Sequence, residues 1–243
     1  SPPATPTSDK DLELLGTSLK TQRTGGGMSM VLDSSTVTAA LAKVYELDAS
    51  GNIIGDASIS TFSDKAFGNG ASGVTHDYGV VANFVTFGTR HLGADINVTT
   101  FIFNGTGVIS PTANESFAVR AGDIKFNVEV GAWPFSQLAA SLDIWMVIEG
   151  NAGPATKMGY TKNHQLGTSI NGVVNLALSD EVQLDGVWTR MSNTYPQAIM
   201  LGAQQYWNIR IPRFQTRAVY DPTISVSQSS PPSSPPSSPP SPP

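Results

Sequence analysis

Apolar and polar residues alternate over several stretches of the chain, which is the pattern of a half-buried β-strand. In 123–130 the even-numbered residues are apolar and the odd-numbered ones are polar. In 141–149 the even-numbered residues are again apolar, but Trp145 and Val147 make the second face partly apolar as well. The first stretch therefore predicts a strand with one solvated face. The second predicts a central strand or one covered on both sides.

Further strands follow from composition and turn signals. The segment Asp95–Phe103 is rich in β-branched and aromatic residues, which favours a strand. In Val44–Gly55, the triplet Ser50-Gly51-Asn52 supplies the residues that a tight hairpin needs between its two strands. The remaining predicted strands are Gly172–Leu184, with a turn at 184–186 before Val187-Trp188, then Ile199–Leu201, and Tyr206–Ile211, which ends at Pro212.

Two segments have sequence patterns that fit more than one structure. Thr36–Leu47 has an Ala- and Leu-rich run that favours a helix, whereas its β-branched start and hairpin-like end favour a strand. Gly68–Gly73 matches Gly-x-Gly-x-x-Gly, but its flanks lack the strand and helix of a dinucleotide site, so we interpret it as a flexible loop between strands. Many short strands separated by Gly, Pro, Asn and Asp predict an all-β body, a β-sandwich or jelly roll.

Composition divides the chain into three parts. We expect an extended N-terminal arm over 1–27, a β-sandwich body over 28–222 and a Ser/Pro-rich tail over 223–243. If the body is two domains, the division is expected near 104–114. From Ser229 to Pro243 every residue is serine or proline, so this stretch is expected to form polyproline II and to join no core.

The tail has two interpretations, a passive linker and a rod that carries glycans, because Ser-rich proline segments are often O-glycosylated. The O-glycosylation candidates, with proline as a site when it is hydroxylated, are Ser229, Ser230, Ser233, Ser234, Ser237, Ser238, Ser241, Pro231, Pro232, Pro235, Pro236, Pro239 and Pro240. Three N-glycosylation sequons begin at Asn97, Asn104 and Asn114. Asn104 and Asn114 lie in loop-like sequence, whereas Asn97 lies within a predicted strand and needs an outward face.

Charge and cysteine content exclude several classes of protein. The 243 residues include 14 Lys plus Arg, 19 Asp plus Glu and no cysteine, for a net charge of -5. Disulfides, thiol nucleophiles and thiolate zinc sites are therefore excluded, and nucleic acid is not an expected partner. No apolar run reaches the roughly 18 to 20 residues that span a bilayer. The start does not resemble a signal peptide, so a secreted protein would be in its mature form here.

The low density of charged residues bears on where the protein works and what it contacts. Charged residues are 14% of the chain, against about 25% in an average globular protein. This suits an extracellular β-protein whose solubility comes partly from glycans, and equally a surface that meets copies of itself.

Candidate chemistry is sparse. Asp143 and Glu149 share a predicted strand face but lie roughly 20 Å apart at about 3.3 Å per residue, farther than the two carboxylates of a glycosidase. Asp180, Glu181 and Asp185 surround a predicted turn, where we interpret them as solvated acids; no spaced calcium loop is present. We therefore predict no catalytic residue, no metal site and no cofactor other than covalent glycans.

The large aromatic residues point to an alternative function. They are expected mainly in core and interface packing, but an exposed pair of coplanar rings would make a platform for sugar. The alternative is accordingly a carbohydrate-binding module with the tail as a linker. The residues concerned are Trp133, Trp145, Trp188, Trp207, Tyr195 and Tyr206.

The N-terminal arm is the candidate for self-association. Leu12, Leu14, Leu15 and Leu19 make residues 11–20 an apolar strand next to a proline-rich start. Such a strand either packs first in the sheet of its own chain or is donated to the sheet edge of a neighbour, which builds an open filament.

Two parts of the sequence resemble known proteins. The Ser229–Pro243 run resembles the hydroxyproline-rich modules of algal and plant extracellular glycoproteins. Residues 121–135, which end in Trp133-Pro134-Phe135, followed by Leu142-Asp143-Ile144, look like a strand, Trp-Pro-Phe, strand signature of protist and algal surface proteins. Both resemblances imply an extracellular or cell-surface location. Trp133, Pro134 and Phe135 are then expected to fix a turn between strands.

We therefore expect an extracellular, non-enzymatic structural protein that assembles with itself into a glycosylated fibril or surface matrix. An open helical filament is the expected form of this assembly. Besides the carbohydrate-binding alternative, a β-sandwich hydrolase would need two close carboxylates in a cleft. A viral jelly-roll capsid is also compatible with the fold class, although the arm holds only Lys10, Lys20 and Arg23 as basic residues.

Overall fold

The structure is a computed structural model in which the following residues are described: 11–14, 17–21, 25–32, 35–76, 79–110, 116–150, 153–154, 156–160, 166–170, 174–192, 194–202 and 204–226. Within these ranges, only the backbone is described for residues 11–19, 32, 35, 56, 69, 150–177 and 223–226. The predicted candidates Leu15 and Asn114 and the whole Ser229–Pro243 run lie outside the described residues.

Across these ranges the chain forms strands and no helix, so the all-β prediction is confirmed. The strands are β1 Asp11–Leu14, β2 Thr17–Thr21, β3 Gly27–Leu32, β4 Ser35–Leu47, β5 Ile53–Ile59, β6 Gly68–Thr75, β7 Ala82–His91, β8 Ala94–Phe103, β9 Gly107–Ile109, β10 Phe117–Val119, β11 Ile124–Val130, β12 Ser141–Gly150, β13 Gly153–Pro154, β14 Thr156–Tyr160, β15 Leu166–Ile170, β16 Val174–Leu178, β17 Glu181–Leu184, β18 Val187–Arg190, β19 Gln197–Leu201, β20 Gln204–Pro212, β21 Ala218–Tyr220 and β22 Thr223–Val226.

Two large antiparallel sheets make up the body. The first, sheet A, has the order β1-β2-β3-β4-β12-β20-β19, with β5 paired to β4 and β13 to β12. The second, sheet B, has the order β14-β15-β16-β22-β11-β21-β17-β18, and β11 also pairs with β8, which continues through β7 to β6. Strand β12 lies between β4 and β20, as its two partly apolar faces predict.

One apolar core lies between the inner faces of the two sheets. The even-numbered residues of β11, and those of β12 up to Ile148, belong to it, in agreement with the alternation of the sequence. Val85 and Phe87 of β7 and Trp207 of β20 complete the contact between the sheets. The arrangement is consistent with the predicted β-sandwich.

A second, smaller core lies on the outer face of sheet B. The short hairpin of β9 and β10 contributes Ile109 and Val119, which pack with Phe101, Phe103 and Ala82. The segment 104–114, where a domain division was placed, thus leads into a hairpin that packs against the sandwich. The division itself stays a prediction.

The structure resolves the ambiguity at 36–47 in favour of a strand. Trp145 of β12 pairs with Lys43 while Met146 pairs with Leu41, so Ala42 is the extra residue of a β-bulge. The bulge moves the buried positions from Val37 and Leu41, which are odd, to Val44, which is even. This change of parity breaks the period of two and gives the segment its helix-like pattern.

The loop predicted at Gly68–Gly73 is wrong, because these residues belong to β6, which pairs with β7. At Gly70 an added Cβ would lie 3.1 Å from the carbonyl oxygen of Thr86. Glycine is needed there for close approach of two backbones rather than for flexibility.

The hairpin and turn signals correspond well to the structure. Gly51 has a φ of 85° between β4 and β5, and Asp48 accepts hydrogen bonds from the backbone N–H groups of Ser50 and Asn52. Asp185 and Gly186, with φ of 50° and 88°, form the turn between β17 and β18. The single strand predicted over 172–184 is divided into β16 and β17 at Ser179-Asp180.

Candidate functional site

The Trp133-Pro134-Phe135 segment connects β11 of sheet B to β12 of sheet A and is anchored on a buried carboxylate. Glu46 on β4 is fully buried, and its Oε1 accepts hydrogen bonds from Trp133 Nε1 at 3.0 Å and from the Ser136 backbone N–H at 3.1 Å. Ser136 Oγ donates to Glu46 Oε2. Because a buried carboxylate needs such donors, the crossing is held in one position.

Two further contacts define the crossing. Gly55, with a φ of 82°, lies so close that an added Cβ would be 2.0 Å from Glu46 Oε2. Phe135 packs edge-on against Phe214 with ring centroids 5.2 Å apart, and the Arg213 guanidinium lies over the Phe135 ring. The segment therefore occupies the kind of position predicted for it, between two strands, while Pro134 itself is exposed.

A mixed aromatic cluster lies on the outer face of sheet A. Trp145 contacts Tyr45 and Tyr206 with interplanar angles of 86° and 61°, and Lys43 Nζ lies 5.4 Å from the Trp145 ring and 5.2 Å from the Tyr206 ring. Beside it, an open groove of about 390 Å³ is lined by Lys43, Tyr206 and the loop after β5.

This cluster does not have the geometry of a sugar platform. Its rings meet edge to face, and Lys43 covers the faces of two of them. Throughout the part of the chain whose side chains are described, each aromatic side chain is buried or half-buried. The exposed coplanar pair that the carbohydrate-binding alternative requires is therefore not found among them.

The carboxylates considered for catalysis or metal binding are held in structural contacts. Asp143 accepts hydrogen bonds from Arg210 Nε at 2.7 Å and from Asn208 Nδ2 at 3.0 Å. Glu149 accepts one from Gln204 Nε2. Within the described ranges no group of three or more His, Asp or Glu side chains is placed to hold a metal ion.

Asp180 and Glu181 correct the interpretation as solvated acids, because both side chains are buried. Asp180 pairs with Arg190 Nε at 3.2 Å, and the Glu181 backbone N–H donates to Ser179 Oγ. The sequence places them next to a turn, but β17 lies inside sheet B rather than at its rim, so the local pattern misleads.

Asp185 is the acid of the three that is exposed, and it fastens a neighbouring loop. It accepts hydrogen bonds from the backbone N–H groups of Gln215, Thr216 and Arg217 and from Thr216 Oγ1. These bonds hold the pKa of Asp185 well below its usual value of 3.8.

We predict that Asp185→Asn destabilises the protein at pH 7 and that the difference from wild type shrinks in acid. A depressed folded-state pKa contributes stability that is present above about pH 4 and is lost as pH falls towards the folded pKa. Urea unfolding of both proteins at pH 7 and near pH 2.5 checks this. An equal difference at the two pH values would show that the charge of Asp185 has no part in it.

The N-terminal arm extends sheet A of its own chain. Strand β1 pairs with β2, with Leu12 opposite Leu19, and β2 pairs with β3. Leu14 lies opposite Thr17 at the end of the hairpin. The described backbone thus has the first of the two predicted arrangements, in which the arm packs within its own chain. A contact of these leucines with a second copy stays a prediction.

The opposite edge of sheet A, strand β19, is unusual among the described edge strands. Gln197–Leu201 contains no charged residue and no proline, and its only paired strand in the described chain is β20. Met200 is 58% and Leu201 is 46% exposed. Natural sheets normally protect such edges with charge, proline or a bulge.

The other described edges of the two large sheets carry those protections. Strand β18 contains Arg190, β1 contains Asp11 and Glu13, and β13 contains Pro154. Strands β6 and β14 are each interrupted by a register shift. Strand β5 contains Asp56 and also has a register shift. Among the described edges of the two large sheets, β19 is thus the one without a charge, a proline or a bulge.

Two of the predicted N-glycosylation sites are described. Asn104 is exposed just after β8, and its Nδ2 lies 3.4 Å from Asn83 Oδ1. Asn97 is half-buried on the outer face of β8, where its Oδ1 closely approaches Gly88. Asn104 is the better placed of the two to carry a glycan.

The described residues contain no helix of the length and apolarity needed to cross a membrane. No solved structure matches the chain. Residues 32–144, just under half of the chain, match the model of the acidic skeletal organic matrix protein family. The matched part includes Glu46 and the Trp133 crossing and ends before the Ser-Pro tail, so the resemblance of the tail to hydroxyproline-rich glycoproteins stays a prediction. The chain is thus similar to this family over β4 to the start of β12, and the similarity fits a secreted, extracellular matrix protein with a structural role.

Proposed function

We propose that the protein is a structural subunit of an extracellular matrix that associates with copies of itself through the β19 edge of sheet A. The similarity to a skeletal organic matrix family supports the setting. The low charge of the chain supports self-association, because few like charges oppose the approach of two copies.

The observation that carries the proposal is the uncharged, unprotected strand β19. An edge strand offers unpaired backbone N–H and C=O groups to any extended segment that lies beside it. In an antiparallel pairing of two copies centred on Ile199, Ala198 lies opposite Met200 and no like charges meet. Association would also cover the exposed side chains of Met200 and Leu201.

A two-fold contact at β19 closes a dimer and occupies that edge, so an open filament needs a heterologous contact of β19 in its place. The N-terminal arm provides a candidate because β1 is the other edge of the same sheet, and its charged residues Asp11 and Glu13 would meet no like charge on the uncharged strand β19. Pairing of β19 in one copy with β1 in the next would be heterologous and would extend sheet A along an open filament. Leu12, Leu14, Leu15 and Leu19 would then lie at or near that contact.

The remaining parts of the proposal concern the surface. The Ser-Pro tail would project as a polyproline II rod with glycans on the serines and hydroxylated prolines, and Asn104 would carry a further glycan. The protein would act without catalysis. The structural contacts of Asp143 and Glu149 support this, since both acids already have hydrogen-bonding partners.

We expect Met200→Lys to reduce self-association without loss of fold. The substitution places a charge on an exposed position of the edge, where it opposes strand addition. Val187→Lys is the matched control, because Val187 is 66% exposed on the edge strand β18 of sheet B. Sedimentation velocity over a range of concentrations measures the oligomers, and circular dichroism verifies the fold.

We expect wild type and Val187→Lys to form oligomers and Met200→Lys to remain monomeric. Equal association of all three proteins would remove β19 from the interface. Wild type that stays monomeric at every concentration would contradict self-association itself.

A further inference from the structure

A lysine is buried on the outer face of β11. Lys125 has no exposed side-chain surface, and its Nζ contacts the carboxylate of Asp221 and Asn127 Oδ1. The Phe101 ring lies on the other side, with its centroid 5.6 Å from Nζ. Sequence alternation assigns this position to a solvated face, so the burial of Lys125 corrects that expectation.

Asp221, the acidic partner of Lys125, is distant in sequence, whereas Asn127 lies on β11 itself. Asp221 lies between β21 and β22 and is 4% exposed. In the register of β11 with β21, Val128 is opposite Tyr220. Lys125 is opposite Thr223 in the same register, so Asn127 lies opposite Asp221. Both side chains therefore lie on the same face of sheet B as Lys125.

A second buried acid belongs to this row. On the other side of β21, Val182 of β17 pairs with Tyr220. This register, continued by one residue, places Glu181 beside Asp221. Glu181 is 6% exposed. Cross-strand neighbours on one face have Cβ atoms about 5 Å apart, so the two carboxyl groups lie within reach of one another. The buried pair of Lys125 and Asp221 thus has a second buried carboxyl group, that of Glu181, on the neighbouring strand.

Burial favours the neutral form of Lys125. Desolvation lowers the pKa of Lys125 well below its usual 10.5. In such surroundings one proton can move from the ammonium to a carboxylate, which leaves a neutral amine next to a carboxylic acid. A desolvated lysine of this kind is a nucleophile.

We propose that Lys125 and Asp221 form an intramolecular isopeptide bond, with Glu181 as the proton relay. The lone pair of neutral Lys125 Nζ attacks Cγ of the protonated Asp221 carboxyl group, and an N–C bond forms. Glu181 accepts a proton from the nitrogen and delivers it to the departing hydroxyl. The C–O bond breaks with its electron pair on oxygen, and one water leaves. The product is a secondary amide, and no oxidant or external reagent is needed.

The position of the bond suits a structural protein that has no cysteine. It would join β11, the central strand of sheet B, to the segment directly before β22, from which the tail continues. Force applied through the tail would then pass to β11 through a covalent bond. An extracellular protein ordinarily obtains such a cross-link from a disulfide.

The direct test is the intact mass of the full chain, produced in bacteria so that glycans do not obscure it. Wild type is expected to be lighter than its sequence by the mass of one water. After trypsin digestion, residues 121–157, uncut at Lys125, should be joined to residues 218–243. Tandem mass spectrometry should place the linkage on Lys125 and Asp221. A wild-type mass equal to that of the sequence would overturn the proposal, as would loss of water without the joined peptides.

Three variants assign the roles. Lys125→Arg keeps a cation beside Asp221, and Asp221→Ala removes the electrophile; both should have the full sequence mass. Glu181→Gln should fold, as judged by its circular dichroism spectrum, yet remain largely unlinked. If Glu181→Gln forms the bond as completely and as fast as wild type, Glu181 is not the relay. If Lys125→Arg still loses one water, the linkage is elsewhere.

Discussion

Gly55→Ala is expected to lower the free energy of unfolding by about 3 to 5 kcal/mol. The backbone of Gly55 is left-handed, with a φ of 82°, and a side chain there costs about 1 to 2 kcal/mol. The new methyl group would also displace the Glu46 carboxylate, which lies 2.0 Å from the Cβ position. Displacement breaks the bonds to Trp133 and Ser136, and each buried group left unpaired costs about 1 to 3 kcal/mol.

Gly93→Ala separates these two contributions. Gly93 has a φ of 93° in the turn between β7 and β8, but no atom lies within 4 Å of its Cβ position. It should therefore show only the backbone cost of about 1 to 2 kcal/mol. Urea denaturation of both variants measures the difference. If the two substitutions have equal effects, the Glu46 anchor contributes little to holding the Trp133 crossing.

Glu181→Gln is expected to cost about 4 to 5 kcal/mol, although it hardly changes the size of the side chain. The reason is loss of the proposed bond between Lys125 and Asp221, since a cross-link that closes a loop of roughly 100 residues contributes about that much. The glutamine variant retains both reacting side chains, so packing is preserved. Chemical denaturation, paired with intact mass on the same sample, measures the effect.

Asp180→Asn is the matched control for that prediction. Asp180 is a neighbouring acid of similar burial whose carboxylate pairs with Arg190 and takes no part in the proposed reaction. This variant should keep the mass of the linked protein and lose less stability than Glu181→Gln. A Glu181→Gln protein that lacks the bond but unfolds at the wild-type denaturant concentration would show that the bond adds no stability.

The strands of the sandwich could be predicted where a single local signal, either alternation or a turn residue, was sufficient to identify them. Alternation identified β11 and β12, and turn residues identified the hairpins at Gly51 and Asp185. The failures have local causes. The bulge at Ala42 shifts the parity of β4, and Gly70 serves a close backbone contact that looks the same in sequence as a flexible loop.

The buried polar groups were beyond sequence alone. Glu46 looks like an ordinary polar position in a hairpin, and its partner Trp133 is 87 residues away. Lys125 and Glu181 have the alternation of solvated residues, yet pairing across β21 brings them to one buried row. Such contacts depend on which strands become neighbours, and neither spacing nor composition specifies that. The open edge at β19 likewise becomes visible only once the strand order is known.

Electron microscopy of the purified full-length protein tests the central proposal, self-association through the β19 edge, most directly. Wild type should form regular filaments or sheets with one repeating subunit, and Met200→Lys should give dispersed particles of single subunits. Dispersed single subunits for wild type, at concentrations where the protein remains folded, would contradict a self-assembling matrix subunit.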